Sequence, residues 1–490
     1  MSAIESGLCV NVVVIGGGFA GLAAGIEARL AGASVLLVEK MARPGGNSII
    51  SDGGMSAAGS SLQKAQGIHD SAELMYRDML EAGQYLNIPA LAGAVAENSV
   101  ETLEWTRDFL GVKFKDRVDH FGGHSLARTH ITQRVSGGDI IKPLVAKFQE
   151  LGGQLRVKTL MRELSTDPHK GVVGVKLQSG FSLQKGGQGK TYPVVADRGV
   201  VMATGGFGAD VDFRLVQAPR LGEKVDTTNK PSATAEGLKA LLKIGAAPVH
   251  LSHIQLGPWC SPDERYYGAA PDFVCYVAQP YGIWVDMDTG RRFVNELSNR
   301  AIRANAILGL GKPALALADQ TAVDKVGWDL TQALAKGVVR RFDSWAKLAG
   351  HYGVNRSALE NSVSRYNEFQ KQRLESDFGK PILAGSRPME VPPFYAARIW
   401  PKVHYTMGGA RIDAKTRVLD LDGQPIPGLF AAGEVTGGVH GACRLGGNAI
   451  TECLYFGRVA GRLASTPSNL ASLTFGEALD DQQPPPGLPA

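Results

Sequence analysis

An α/β chain, built on a Rossmann-like dinucleotide-binding domain that is interrupted by an α+β cap, is what the sequence predicts on three observations. Residues 11–39 read as strand, glycine turn, Ala-rich helix and strand, a βαβ unit. The same strand-then-glycine character returns at residues 198–206 (RGVVMATGG) and 426–433 (IPGLFAAG). Between those returns, residues from about 252 to 405 differ in kind, with aromatic-rich loops followed by helical stretches such as 344–370. The expected organisation is therefore a nucleotide-binding domain over 1–251, a capping and substrate domain over 252–405, the second part of the nucleotide domain over 406–465, and a tail over 466–490. That tail ends in QQPPPGLPA and reads as irregular.

The first element carries the strongest signal. Strand 12–15 runs directly into Gly16-Gly17-Gly18-Phe19-Ala20-Gly21, an Ala- and Leu-rich helix follows, and a second strand, 34–38, ends in Glu39. Gly16 permits the tight turn, Gly18 lets backbone N–H groups approach a pyrophosphate at the helix N-terminus, and Gly21 lets helix and strand pack closely. Glu39 lies where an acidic side chain accepts hydrogen bonds from a ribose 2′-OH. Three later segments choose between dinucleotides: Arg43-Pro44-Gly45-Gly46-Asn47-Ser48 after the second strand, Ala203-Thr204-Gly205-Gly206, and Gly433-Glu434. Their spread suits an extended dinucleotide.

Composition excludes several other classes. The 490 residues are 44% hydrophobic, enough for two or three domains with real cores, and 61 glycines fit a nucleotide-binding α/β chain full of tight turns. A net charge of +5 with no basic run argues against nucleic acid. Five cysteines, Cys9, Cys260, Cys275, Cys443 and Cys453, form no CxxC or CxxCH, which argues against a disulfide scaffold, a metal site, an iron–sulfur cluster or attached haem. MSAIESGLCVNVVVIGGG shows no basic leader, and no run approaches the roughly 18 apolar residues of a membrane span. A cytoplasmic protein is expected.

Taken together, these segments resemble the FAD-binding family of soluble fumarate reductases of flavocytochrome c type, with urocanate reductase and 3-ketosteroid dehydrogenases as relatives. The resemblance runs from about Val12 to Ala464 and is most specific at HYTMGGARID (404–413) and AAGEVTGGVHGACRLGGNAITE (431–452). It implies an FAD domain of glutathione-reductase type, with Glu434 on the ribose or ribityl chain and Asn448, Ala449 and Ile450 along the isoalloxazine. Lys40, Gly46, Asn47, Ser48, Gly53, Gly54, Ala203, Thr204 and Gly205 complete the implied cofactor contacts. Membrane-bound members attach FAD through a histidine a few residues before a Gly-Gly; Asn47 stands there in this chain, ahead of Gly53-Gly54, so non-covalent FAD is expected.

The resemblance also implies a chemistry, exchange of a hydride with flavin N5 across a C–C or C=C bond activated by a carboxylate or ketone. Cationic donors suit it, because negative charge develops on the activating oxygen. His404 and Arg444 are implied as the carboxylate clamp and Arg300, in GRRFVNELSNR, as the proton donor. A guanidinium grips a carboxylate bidentately, whereas its acid role rests on the resemblance, since its reference pKa is far too high. On composition alone Arg300, with Arg291, Arg292 and Arg303 nearby, reads as a solvated charged face.

Two departures shape the substrate expectation. Fumarate reductases carry a histidine two residues after a glutamine in the cap, and Gly257 follows Gln255 here; the Glu and Arg of their proton relay are replaced by Tyr276 and Gln279. The cap is rich in Trp259, Tyr266, Tyr267, Phe273, Tyr276, Tyr281 and Trp284, which suits a cyclic or aromatic substrate other than fumarate. Tyr276 and Tyr405 are further candidates for acid–base work. The alternative enzyme is a desaturase of a cyclic keto acid or 3-ketosteroid. A flavin redox sensor is the alternative from another class, and the intact RLGGNA turn speaks against it. A single dinucleotide fingerprint leaves electrons to a separate carrier or to oxygen.

Overall fold

The structure is a computed structural model that describes residues 8–187 and 189–467. The first seven residues, on which the expected lack of a leader partly rests, and the tail beyond residue 467 lie outside the described residues. Contacts divide the chain into two compact units. One takes the described residues up to Gly222, Lys230–Ile254 and those from Tyr405 onward; the other takes Glu223–Asn229 and Gln255–His404.

The first unit is organised by a mixed eight-stranded sheet with a parallel centre. Strand β1 (Leu8–Ile15), helix α1 (Phe19–Leu30) and strand β2 (Val35–Val38) form the predicted βαβ unit. Strand β3 (Thr191–Met202) pairs with β1 on its other side, and strand β4 (Pro425–Ala431) pairs with β3; all three pairings are parallel. Val13 thus stands opposite both Leu36 and Val200, and Val200 opposite Leu429. Val12, Val13 and Val14 are wholly buried. A parallel strand covered on both faces reads as a continuous apolar run, which is why β1 shows no alternation in sequence. Gly171–Gln178 pairs antiparallel with the first half of β3.

Helix α2 (Asn448–Ala464) lies against α1. Gly457 and Gly461 make the close approach possible, since a Cβ on either would collide with a carbonyl oxygen of α1, Ala20 O and Ala24 O respectively. Polar atoms at this contact are matched: Arg458 Nε donates to buried Glu27 at 2.8 Å and its Nη1 to Glu101 at 2.7 Å.

The second unit has its own four-stranded antiparallel sheet, in the order Ile283–Asp286, Ala314–Ala318, Phe394–Ile399 and Arg340–Phe342. Alternate residues feed two separate cores. Trp284, Ala316 and Ala397 face one; Ile283, Val285, Leu315 and Ala396 face the other. Segment Glu223–Asn229 joins this unit through backbone pairing with Val403, where Thr228 N donates to Val403 O at 2.8 Å. The charged stretch after the first strand is largely buried, with Arg291 exposed at its start. Arg292 bridges Glu296 and Glu375, and Arg303 is 1% exposed. Paired carboxylates and aromatic faces make that burial tolerable. Among the described residues no helix is long and apolar enough to cross a membrane.

An exposed helical Gly→Ala change stabilises by about 1 kcal/mol. At Gly461 the collision with Ala24 O reverses the sign, and Gly461→Ala is expected to destabilise by about 1–3 kcal/mol, the usual cost of overpacking. Urea unfolding followed by circular dichroism checks this; a midpoint at or above that of the parent protein contradicts the close crossing.

Candidate active site

The glycine turn after β1 opens onto a cavity in the first unit. Its walls bring together most of the residues expected from the sequence: Gly16, Gly18, Glu39, Lys40, Gly46, Asn47, Ser48, Ala203, Thr204, Gly205 and Glu434. Gly16 has φ +109°, and a Cβ there would overlap the Ala203 carbonyl, so the tight turn and the strand contact both require glycine. Glu39 ties the turn together, accepting from Gly17 N at 3.0 Å and from Met41 N at 2.8 Å. Burial raises its pKa while those two N–H groups act against the rise. Each carboxylate oxygen retains a lone pair for a ribose hydroxyl. Lys40 Nζ donates to Thr234 Oγ1 at 2.7 Å, and Asn47 Oδ1 accepts from Lys230 N at 2.9 Å.

Some expected residues act beside the cavity instead of lining it. Gly21 packs on Gly16 O, and Gly53 and Gly54 pack on Thr132 and Thr129. Asn448, Ala449 and Ile450 form the first turn of α2. Missed by the sequence reading were Thr159, Leu160 and Met161, together with Ser232, Ala233, Thr234, Glu236 and Gly237. The second group had a usable signal, small and hydroxyl residues running into the helix Glu236–Lys243. The first had none, because residues that line a cavity through backbone and apolar atoms leave no type preference.

The cavity fits a dinucleotide on its own chemistry. Thr204 Oγ1 is buried with no hydrogen-bond partner among the described residues, and so are both amide atoms of Asn448, which is 0% exposed. Buried polar atoms seldom stay unpaired in a complete structure. At α1, Gly18 leads into a helix with Ala- and Leu-rich walls whose first N–H groups suit a phosphate anion. Phe19 N is meanwhile held by Ser48 Oγ at 3.2 Å.

Next to the cavity, the turn leading into α2 gathers ionisable groups of the same unit. Glu434 accepts from Thr406 N at 2.9 Å and Thr406 Oγ1 at 3.2 Å; burial pushes its carboxyl up to about 7. Glu452 Oε2 accepts from Tyr405 OH at 3.1 Å and meets His440 Nε2 at 2.7 Å. Burial first, and then the two carboxylates, hold the Tyr405 phenol well above its ordinary range. Arg444 is 5% exposed, donates to Leu445 O at 2.9 Å and stands 4.6 Å over the Tyr405 ring.

The second unit holds a separate constellation around one indole. Arg300, 9% exposed, lies 4.5 Å over the Trp259 ring and donates to Gln255 Oε1 at 3.2 Å. His404 meets the same ring edge-to-face at 5.2 Å, and Thr228 Oγ1 holds its Nδ1 at 2.8 Å. Arg303 Nη1 donates to Gln279 at 2.5 Å. Tyr276, buried, stacks on Trp328 at 4.3 Å.

Residues 11–450 match the family described as FAD binding domain. The chain belongs to this FAD-binding flavoprotein family. It is 40% identical to the acrylate reductase flavoprotein subunit of Shewanella woodyi, over 93% of this chain and 91% of that protein. Among solved structures, the open conformation of a flavocytochrome c3 fumarate reductase is 33% identical with a TM-score of 0.72, covering 94% of this chain and 79% of that one. The 3-ketosteroid-delta4-(5alpha)-dehydrogenase of Rhodococcus jostii is 26% identical with a TM-score of 0.73, covering 95% and 98%. The chain is thus an FAD-dependent oxidoreductase, and its fold is that of the fumarate reductase flavoproteins.

Glu434 gives the cofactor-free protein a pH signature. Its folded carboxyl, at about 7, exceeds the ordinary 4.5. Below that ordinary value both states hold the proton; above it the unfolded chain releases the proton first, so stability falls as pH rises through about 7. The loss is on the order of 3 kcal/mol at most. Glu434→Gln should flatten this slope, checked by urea midpoints at about pH 5 and about pH 8.

Proposed function

We propose that this enzyme interconverts a C–C and a C=C bond next to a carboxylate or ketone, on a substrate other than fumarate. FAD, when bound, supplies the hydride chemistry. The observation that carries the reading is Arg444: a guanidinium kept buried in a glycine turn, braced by the Tyr405 ring and the Leu445 carbonyl, immediately before the α2 terminus. A charge held out of water at such cost suits the binding of an anionic oxygen. Similarity to an acrylate reductase subunit and to fumarate and ketosteroid enzymes supports the same chemistry.

The chain's own groups take the following parts in this reading. Arg444 grips the substrate carboxylate and holds its plane. His404, fixed by Thr228, donates a second hydrogen bond. Arg300 gives the proton to the carbon opposite the hydride, its guanidinium oriented by Gln255 and the Trp259 face. Tyr405 directs its hydroxyl proton to Glu452, so the part we give it is support of Arg444. Tyr276, stacked on Trp328, remains a candidate donor to a ketone oxygen.

FAD is held without a covalent bond in this reading, supported by an amide, Asn47, in the cavity wall where an attaching histidine would stand. Electrons pass to or from a separate carrier or oxygen. The five cysteines form no disulfide, which suits a reducing, cytoplasmic compartment.

Reducing the bound flavin anaerobically and following its reoxidation by unsaturated carboxylates and enones tests the reading. Arg444→Ala should keep FAD and lower turnover by about 10²–10³-fold, the usual scale for losing one donor to a developing oxyanion. Unchanged turnover sinks the clamp. Acid precipitation should leave all of the yellow flavin in the supernatant; colour in the pellet contradicts non-covalent binding.

A further inference from the structure

We infer that His124 is a positioning residue for the turn that carries Arg444: a neutral imidazole, held in one tautomer by Arg128, it fixes the Gly446 carbonyl together with Ser56 and so sets where the guanidinium stands. This deepens the reading given under Proposed function and rests on it, since Arg444 is there the carboxylate clamp.

Three observations within the first unit carry the inference. The first is the convergence of two side chains on one oxygen. Gly446 O accepts from Ser56 Oγ at 2.9 Å and meets His124 Nε2 at 2.8 Å, and both side chains are buried. Ser56 belongs to the short strand Met55–Ser56, and His124 lies in the loop before the strand Thr129–Thr132. A carbonyl two residues after Arg444 is thus held by two separate elements, 390 and 322 positions away in the chain.

The second observation is what fixes the imidazole. Arg128 Nη1 stands 3.4 Å from His124 Nδ1, and arginine carries donors only, so Nδ1 is the accepting nitrogen and Nε2 the one that bears the proton. That guanidinium has little freedom. It is 0% exposed, binds Asp70 through Nε and Nη2 at 3.0 Å each, and meets Asp78 through Nη1 at 2.6 Å. Ser125 holds Asp78 in turn with its N–H and its hydroxyl, both at 2.8 Å. A buried bidentate ion group of this kind fixes geometry more than it adds stability.

The third is the lack of room in the turn itself. Gly447 has φ +83°, and a Cβ there would overlap Ser56 Oγ; one on Gly446 would overlap the Phe121 ring. Thr451 Oγ1, one turn into α2, donates to Ser56 O at 2.8 Å. Gly446 and Gly447 are therefore seated against Ser56 on one side and the 121–124 loop on the other, and Arg444, which donates to Leu445 O at 2.9 Å, extends from that seat. A clamp has to start from fixed main chain, because a displacement of about 1 Å in a positioning group can cost on the order of 10²-fold in rate.

Two substitutions separate the donor from the bulk of the ring: His124→Gln keeps an N–H at similar reach, and His124→Leu keeps volume but loses the donor. In the FAD-loaded oxidised enzyme the Kd of acetate or phenylacetate, carboxylates with no C–C bond to desaturate, is read from the flavin difference spectrum. It should rise about tenfold in His124→Leu and stay within about threefold of the parent in His124→Gln, with FAD content unchanged, the scale of one lost hydrogen bond. Amide hydrogen exchange over residues 445–451, followed by mass spectrometry, tests the seat without any substrate. It should quicken about tenfold in His124→Leu and in Ser56→Ala, and the double variant should exceed the product of the two, because either single change leaves one donor on the carbonyl. Parent-like Kd and exchange in His124→Leu, or equal losses in His124→Gln and His124→Leu, overturns the role of His124. Exchange that responds as stated in an enzyme whose parent form binds no carboxylate overturns instead the clamp assigned to Arg444, and with it the purpose given to the seat.

Discussion

Backbone-to-backbone contact around α1 is the constraint on which the cofactor site depends. On one side the turn that starts the helix leaves no room for side chains: a Cβ on Gly16 would overlap the Ala203 carbonyl, and one on Gly21 would overlap the Gly16 carbonyl. On the other side α2 presses Gly457 and Gly461 onto the carbonyls of Ala20 and Ala24. The helix is therefore held at both flanks by atoms that cannot change rotamer. Its first N–H groups, and the cavity they face, inherit a position fixed by main chain alone. Glu39 extends this rigidity to β2 by bonding Gly17 N across the turn.

The same economy of space creates the electrostatic problem at the other end of the cavity. Glu434, Glu452, His440, Tyr405 and Arg444 are all buried or nearly so around the turn into α2. No single ion pair resolves such a cluster. Glu452 is met by a phenol and an imidazole, Glu434 by the amide and hydroxyl of Thr406, and Arg444 by an aromatic face and a carbonyl. The Arg444 guanidinium in turn draws the Glu434 carboxyl down against the rise that burial causes.

What the sequence revealed follows from how local each feature is. The strand, turn, helix and acid of 12–39 are legible because the chemistry of phosphate approach fixes residue types at neighbouring positions. Arg444 stands out in the sequence for a similar reason, since a cation inside a glycine run has few structural purposes. Arg300 misleads on composition: four arginines within thirteen residues look solvated, and only the fold shows Trp259 under Arg300 and Arg303 and Glu296 and Glu375 on Arg292, while Arg291 stays exposed. Thr228, which holds the His404 ring from 176 positions away, carries no pattern at all. The Glu223–Asn229 segment is missed on the same ground, because it joins the cap by pairing its backbone with Val403.

Aromatic residues in the cap divide by what their rings pack against. Trp284 and Tyr366 are spent on core, with wholly or almost wholly buried rings on opposite faces of one sheet. Tyr276 spends its face on Trp328. Trp259, in the same core cluster as Trp284, also carries Arg300 over its face at 4.5 Å and meets His404 edge-to-face at 5.2 Å. The indole thereby fixes the spacing of Arg300 and His404.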